Sequence, residues 1–182
     1  MTADGAVDCA ADAASAPDIA TELIATEVIA SLIKHGFTIA VAESLTGGLL
    51  AAELIRVPGA SATVVGGVVA YNTALKNSVL GVDANLLTEH GPVHPEVARQ
   101  MADRVRTVLA VNGVPADIGL STTGVAGPGP QDGHPAGTVY LGFAIGEDVS
   151  SLKLELGGDR SAIREKTVSE SLARLRIALE SR

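Results

Sequence analysis

A chain of 182 residues with 47% hydrophobic side chains suits one domain with a sizeable core, since domains most often hold about 100 to 150 residues, and leaves no room for a second large one. Half of its net charge of -8 falls in the first 18 residues, which carry Asp4, Asp8, Asp12 and Asp18 and no Lys or Arg, so the remainder is only mildly acidic. Four aromatics (Phe37, Tyr71, Tyr140, Phe143) and no basic cluster leave neither a phosphate-neutralising patch nor a stacking platform, which excludes nucleic acid as a partner.

Residues 1–17 are mostly Ala, Asp, Ser and Gly with little to bury, and are expected to form a disordered leader before a single domain over 18–182. The one cysteine, Cys9, lies in that leader, so no intrachain disulfide or Cys-based metal cluster is available and a reducing compartment is expected. No apolar run reaches the ~18 to 20 residues of a membrane helix, and no basic stretch precedes an apolar block, so the expectation is a cytoplasmic protein with no membrane partner.

From Ile19 to His35, Leu23, Ile24, Val28, Leu32 and Ile33 recur at helical spacing, and Gly36 offers a stop. Phe37 to Ala42 reads as a buried strand, Leu45 to Arg56 as a helix ended by Pro58-Gly59, and the valine-rich run Thr63 to Tyr71 as a second buried strand. Asn72 is a good N-cap for a short helix through Leu80. His94 to Asn112 places Val97, Met101, Val105 and Val108 on one helical face, with Pro95 suited to the first turn. Ala116 to Ser121 is a third strand; a Gly- and Pro-rich loop, Gly124 to Gly137, leads to a strand over Thr138 to Ile145. Leu152, Leu154 and Leu156 alternate with Lys153 and Glu155 as in a half-exposed strand, and Asp159 can cap a last helix striped by Val168, Leu172, Leu175 and Leu179. Strands alternating with helices predict an α/β fold, a three-layer α/β/α sandwich around a mostly buried sheet.

Chemistry is concentrated where strands end. Glu43-Ser44-Leu45-Thr46-Gly47-Gly48 stands where a buried strand turns into a helix, whose free amides favour an anion; a plain N-cap at Ser44 or Thr46 is the alternative. Tyr71 and Asn72 follow the second strand, and Lys76 is expected in the first helical turn, where the positive helix end and burial would lower its pKa and suit it to act as a base; a solvated surface lysine is the alternative. Thr122-Thr123-Gly124 opens the third loop, which is neither a Walker loop nor a dinucleotide fingerprint. Gly157-Gly158-Asp159-Arg160 offers an arginine suited to bidentate contact with a phosphate, with a lone surface arginine as the equal alternative. His90 and His94 have helical spacing, but Gly91-Pro92 breaks any helix that would align them, and no metal site is expected.

Val-Ala-Glu43-Ser44-Leu-Thr46-Gly47-Gly48, Gly-Val-Val-Ala-Tyr71-Asn72 with Lys76, Gly91 with Glu96-Val-Ala, Thr123-Gly-Val-Ala-Gly127-Pro-Gly129 and Gly137-Thr-Val-Tyr together resemble one family, in order and from about Ile19 to the last helix. It is the C-terminal domain of the competence-damage-inducible protein CinA, whose stand-alone members are nicotinamide-nucleotide amidases. The resemblance implies hydrolysis of the carboxamide of nicotinamide mononucleotide to nicotinate mononucleotide and ammonia, in pyridine nucleotide salvage and without a cofactor. It assigns the nucleophile to Ser44, proton transfer to Lys76 and Tyr71, and substrate contacts to Thr123 and Arg160. Thr46, Gly47, Gly48, Asn72 and Gly124 complete the expected binding set. Pro130 and His94 depart from the family pattern, which usually continues in glycine at the first and has a small polar residue at the second. The pyrophosphatase-like domain of longer members, and its metal-dependent activity, are expected to be absent. A non-catalytic pyridine-nucleotide-binding or regulatory module is the alternative function, a scaffold that assembles through apolar helix faces a third reading, and the apolar composition favours a homo-oligomer, dimer or larger.

Overall fold

The computed structural model describes residues 19–180 and Arg182; the expected leader, with Cys9, lies outside the described residues. Helix α1 spans Ile19–His35, strand β1 Ile39–Glu43, α2 Leu49–Arg56, β2 Val64–Val69, α3 Thr73–Ser78, α4 Ala84–His90 and α5 Pro95–Val108. Strands β3 (Ile118–Gly124), β4 (Thr138–Ile145) and β5 (Asp148–Glu155) then follow one another, and α6 runs Arg160–Glu180.

The strands form one sheet in the order β2-β1-β3-β4-β5. β1 is parallel to both β2 and β3, whereas β3–β4 and β4–β5 are antiparallel. Every residue of β1 is buried, as in a strand covered on both faces, while β5 at the edge shows the half-exposed alternation that its leucines foretold. On one face Ile39, Val41, Ile118 and Leu120 meet α1, α2 and α6 through Val28, Leu32, Leu50, Leu54, Leu172 and Leu175. On the other, Ala40 and Ala42 share a core with Val97, Met101 and Val105 of α5. The three-layer α/β/α sandwich is therefore present. Seating α5 requires glycine beneath it: a Cβ on Gly119 would lie 1.8 Å from Ala102 C=O and one on Gly142 2.1 Å from Ala98 C=O.

Several boundaries differ from the sequence reading for local reasons. α2 begins at Leu49 instead of Leu45 because residues 44–48 form a turn in which Gly47 and Gly48 take φ of 61° and 99°. α5 ends at Val108 instead of Asn112, since Asn112 and Gly113 (φ 53° and 80°) make a tight turn closed by hydrogen bonds between Val111 and Val114. β1 and β2 are shorter than expected, and β3 starts later and runs on to Gly124. α4 was unforeseen; no residue of it is fully buried and its apolar face is only Leu86 and Leu87, too short to show a period, and it is started by Asp83 accepting from the amides of Asn85 and Leu86. Asp159 caps α6 through the Ala162 amide, as expected. Among the described residues no helix is long and apolar enough to cross a membrane.

Candidate active site

β1, β2 and β3 run in the same direction, so their C-terminal ends open on one edge of the sheet, where ligand crevices of α/β sheets lie. Those ends and the segments leaving them supply Ser44, then Tyr71 and Lys76, then Thr123 at the end of β3 itself, and these four with Leu45, Gly124 and Arg160 line a cavity of about 100 Å³. Pro92 and Val93, just ahead of α5, close another side.

Lys76 is 1% exposed. Its Nζ lies 2.9 Å from Ser44 Oγ and donates to Ala70 C=O at 2.7 Å. Burial lowers its pKa from 10.5 to about 8. The expected cause was in part a helix dipole acting on a first-turn lysine. Lys76 is the fourth residue of the six-residue α3 and so stands in its first turn, as expected, and in its last as well, where the two helix ends oppose one another; burial is the cause that lowers its pKa. Near pH 8 a neutral amine is therefore available, able to donate to Ala70 C=O while accepting the Ser44 hydroxyl proton.

The turn carrying Ser44 is held by charge on both sides. Glu43 is 1% exposed, and its carboxylate accepts from the amides of Gly48 (2.9 Å), Leu50 (3.1 Å) and Ala51 (2.8 Å). The α2 start is thus occupied by the protein's own carboxylate, which corrects the expectation that Gly47 and Gly48 bind an external anion there; neither lines the cavity. Thr46 is neither an N-cap nor a cavity residue: its hydroxyl hydrogen-bonds to that of Thr122 at 2.8 Å, inside the core. On the other side Arg164 donates to Leu45 C=O (3.0 Å) and Thr46 C=O (2.9 Å). The Ser44 amide continues the β1–β3 ladder to Thr122 C=O at 3.0 Å, whereas the Leu45 and Thr46 amides have no acceptor among the described residues.

The rim differs. Arg160 donates to Gly127 C=O at 2.8 Å and to the Tyr71 hydroxyl at 3.0 Å. Tyr71 is 59% exposed and lines the same cavity as Ser44 and Lys76, with its hydroxyl bonded to this arginine and to neither of them. Asn72 uses its side chain to cap α3 through the Ala74 amide at 2.9 Å and does not line the cavity. Thr123 does line it, with its hydroxyl donating to Pro92 C=O at 2.7 Å. His90 and His94 do meet, despite the helix break: the turn between α4 and α5 stacks their rings with centroids 4.7 Å apart. His94 Nδ1 accepts from the Glu96 amide and so caps α5, and burial followed by the neighbouring His90 lowers its pKa. No group of three or more His, Cys, Asp or Glu side chains among the described residues is arranged to hold a metal.

A buried serine–lysine pair at the parallel strand ends, under the Glu43-Ser44-Leu45-Thr46-Gly47-Gly48 turn, accompanies a match to the CinA C-terminal domain over residues 21–179. The chain belongs to the CinA C-terminal domain family. A CinA-like protein of Frankia casuarinae is 46% identical over 145 residues, which are 80% of this chain and 32% of that protein. The chain spans about a third of the length of the curated relatives it matches. Among solved structures, a CinA superfamily protein from Klebsiella pneumoniae superposes with a TM-score of 0.83 at 32% identity, covering 89% of this chain and 99% of that one. The competence/damage inducible protein CihA from Agrobacterium tumefaciens does so with a TM-score of 0.82 at 33% identity, covering 92% and 99%. The CinA fold thus accounts for the chain from α1 to α6. Within it, Glu43, Leu45 and Arg164 escaped the sequence reading, although Arg164 stands one helical turn beyond Arg160 on α6.

Proposed function

We propose that this CinA domain is an amidohydrolase that converts nicotinamide mononucleotide to nicotinate mononucleotide and ammonia, with Ser44 as nucleophile and Lys76 as base. The observation that carries the reading is the 2.9 Å contact between Ser44 Oγ and a buried Lys76 Nζ whose pKa is lowered to about 8. Neutral Lys76 takes the serine proton as Oγ attacks the carboxamide carbon, and the resulting ammonium returns it to the departing nitrogen, releasing ammonia and leaving a nicotinoyl ester on Ser44. Water, deprotonated by the same amine, then attacks the ester; the carboxylate leaves and Ser44 recovers its proton. The free amide of Leu45, which lines the cavity, is the donor offered to the oxyanion.

The cavity is small beside the roughly 300 to 1,000 Å³ of whole-ligand sites, which suits it to the carboxamide end while the sugar and phosphate lie toward the rim. There Arg160, which has no carboxylate partner among the described residues, is the cation available to a phosphate, and Tyr71 orients it. The test is ammonia release from nicotinamide mononucleotide by the purified chain. Binding of the nucleotide with no ammonia above the Ser44→Ala background would leave a non-catalytic nucleotide-binding module as the better account.

A further inference from the structure

The Ser44 turn includes one firmly bonded residue that the chemistry above does not use. Arg164 is half-buried and has no carboxylate partner among the described residues; it directs Nε and Nη2 onto two successive carbonyls, those of Leu45 and Thr46. These peptide bonds are trans, so each carbonyl points opposite to the N–H of its own peptide unit. Holding Leu45 C=O therefore turns the Thr46 N–H away from the guanidinium. Holding Thr46 C=O likewise turns away the Gly47 N–H, which donates to Ser44 C=O at 3.2 Å, and that bond in turn sets the direction of the Leu45 N–H.

One side chain thus fixes both amides that lack an acceptor. Leu45 lines the cavity with its N–H unpaired, as where a donor is kept for a ligand, whereas Thr46 has no exposed surface and does not line the cavity. The cation also polarises the peptide units it holds, which strengthens their N–H groups as donors. The motif glycine fits the same scheme. Gly47 takes φ 61°, a left-handed conformation that a residue with a side chain adopts only with strain, so glycine lets the turn present its carbonyls to the guanidinium.

We propose that Arg164 is a positioning residue for acyl transfer, acting through the peptide units of the Ser44 turn to aim and polarise the Leu45 amide toward the oxyanion formed on attack by Ser44. This rests on Ser44 being the nucleophile, and the test separates the two. Two quantities are measured on the full chain: ammonia release from nicotinamide mononucleotide, resolved into kcat and KM, and the rate at which a small alkyl fluorophosphonate labels Ser44, read by intact mass. In labelling, the Oγ–P bond forms as the P–F bond breaks, fluoride leaves and Lys76 takes the serine proton, so no amide substrate is needed.

Arg164→Met is expected to lower both kcat and the labelling rate by about tenfold or more, short of the roughly 100-fold or more that follows deletion of a donor itself. KM should stay within about threefold and the ascending pH limb should not move, a pattern that general loosening of the fold would not give. Arg164→Lys, which cannot span both carbonyls, should fall between Met and wild type. Gly47→Ala keeps the arginine but strains the turn whose carbonyls it holds; it should lose rate in the same direction and stands in if Arg164→Met shows no cooperative urea transition. Folded variants that label at the wild-type rate overturn the positioning role and leave the amidase reading intact. If wild type is labelled at Ser44 but releases no ammonia, the substrate reading falls and the labelling rates alone decide the role of Arg164. Wild type that is not labelled at Ser44 overturns both.

Discussion

At the floor of the cavity Lys76 is sealed from solvent against Ser44 and Ala70 C=O, and burial alone brings its pKa to about 8. At the rim Arg160 and Tyr71 bond to one another in the open. The floor is suited to moving a proton and the rim to holding an anion. Changes at the floor should therefore act on kcat and its pH dependence, and changes at the rim on KM.

The largest effect should come from Ser44→Ala, which removes the attacking oxygen while the Glu43 and Arg164 clamps on its turn remain. Turnover should fall by about 1,000-fold or more with nucleotide affinity largely kept, as read by ammonia release and calorimetric binding. A rate near that of wild type would sink the nucleophile assignment.

Lys76→Met comes next, and it should move rate and stability in opposite directions. In wild type kcat/KM should rise with pH through one ionisation near 8; the variant should lose that limb with most of the rate, and Lys76→Arg should not restore it. Because the folded pKa lies below the unfolded value of 10.5, the unfolded chain binds more protons between about pH 8 and 10.5 and stability should rise across that window. Below it the cost of burying the ammonium is on the order of 3 kcal/mol, so Lys76→Met should be more stable than wild type at pH 7. Urea unfolding at pH 7 and pH 10 checks the sign at both ends; a variant less stable than wild type at pH 7 would contradict it.

At the rim, Arg160→Ala should raise KM for the mononucleotide by about 10- to 100-fold while leaving kinetics on free nicotinamide nearly unchanged. Equal losses on both substrates would place Arg160 with the floor. The smallest effect concerns the α5 cap: His94→Ala should cost about 1 kcal/mol of stability, measured by thermal unfolding near pH 7.5, where Nδ1 is free to accept. Since the folded His94 pKa lies below 6.5, the contribution of this group is complete above that pH and is lost as pH falls through the folded value, so wild type and variant should converge in acid.

Floor and rim also differed in how legible they were. Ser44, Lys76 and Thr123 could be found because each follows an apolar run, and a strand end is visible as the point where hydrophobicity stops. The layers were legible for the same reason, as in Val97, Met101 and Val105 at helical spacing. What the side chains bind was not. That Glu43 folds back over its own turn to cap α2, and that Arg160 turns to Tyr71, 89 positions away in the chain, are tertiary facts with no periodic signature. Gly47 and Gly48 read as an anion loop because glycines before a helix commonly make one; the competing carboxylate stood four residues ahead of the first of them. The turns at Asn112-Gly113 and Asp132-Gly133 were written in the sequence and went unread, since the helix pattern and the long loop that contain them drew the assignment instead.

β3 is the strand at which the sheet changes from parallel to antiparallel, and this affects how the site can diverge. The segments that leave β1 and β2 enter helices, so lengthening either would displace a packed layer. The segment that leaves β3 returns directly to β4, and its tip closes on itself through the hydrogen bonds between Gln131 and His134. Residues can be inserted at that tip without moving a helix or breaking a ladder, because the flanking strands are already paired up to Gly124 and Val139. One wall of the cavity, reaching Gln131, is therefore free to change shape while Ser44, Lys76 and their braces stay fixed. Divergence in the group this site accepts should collect in this wall.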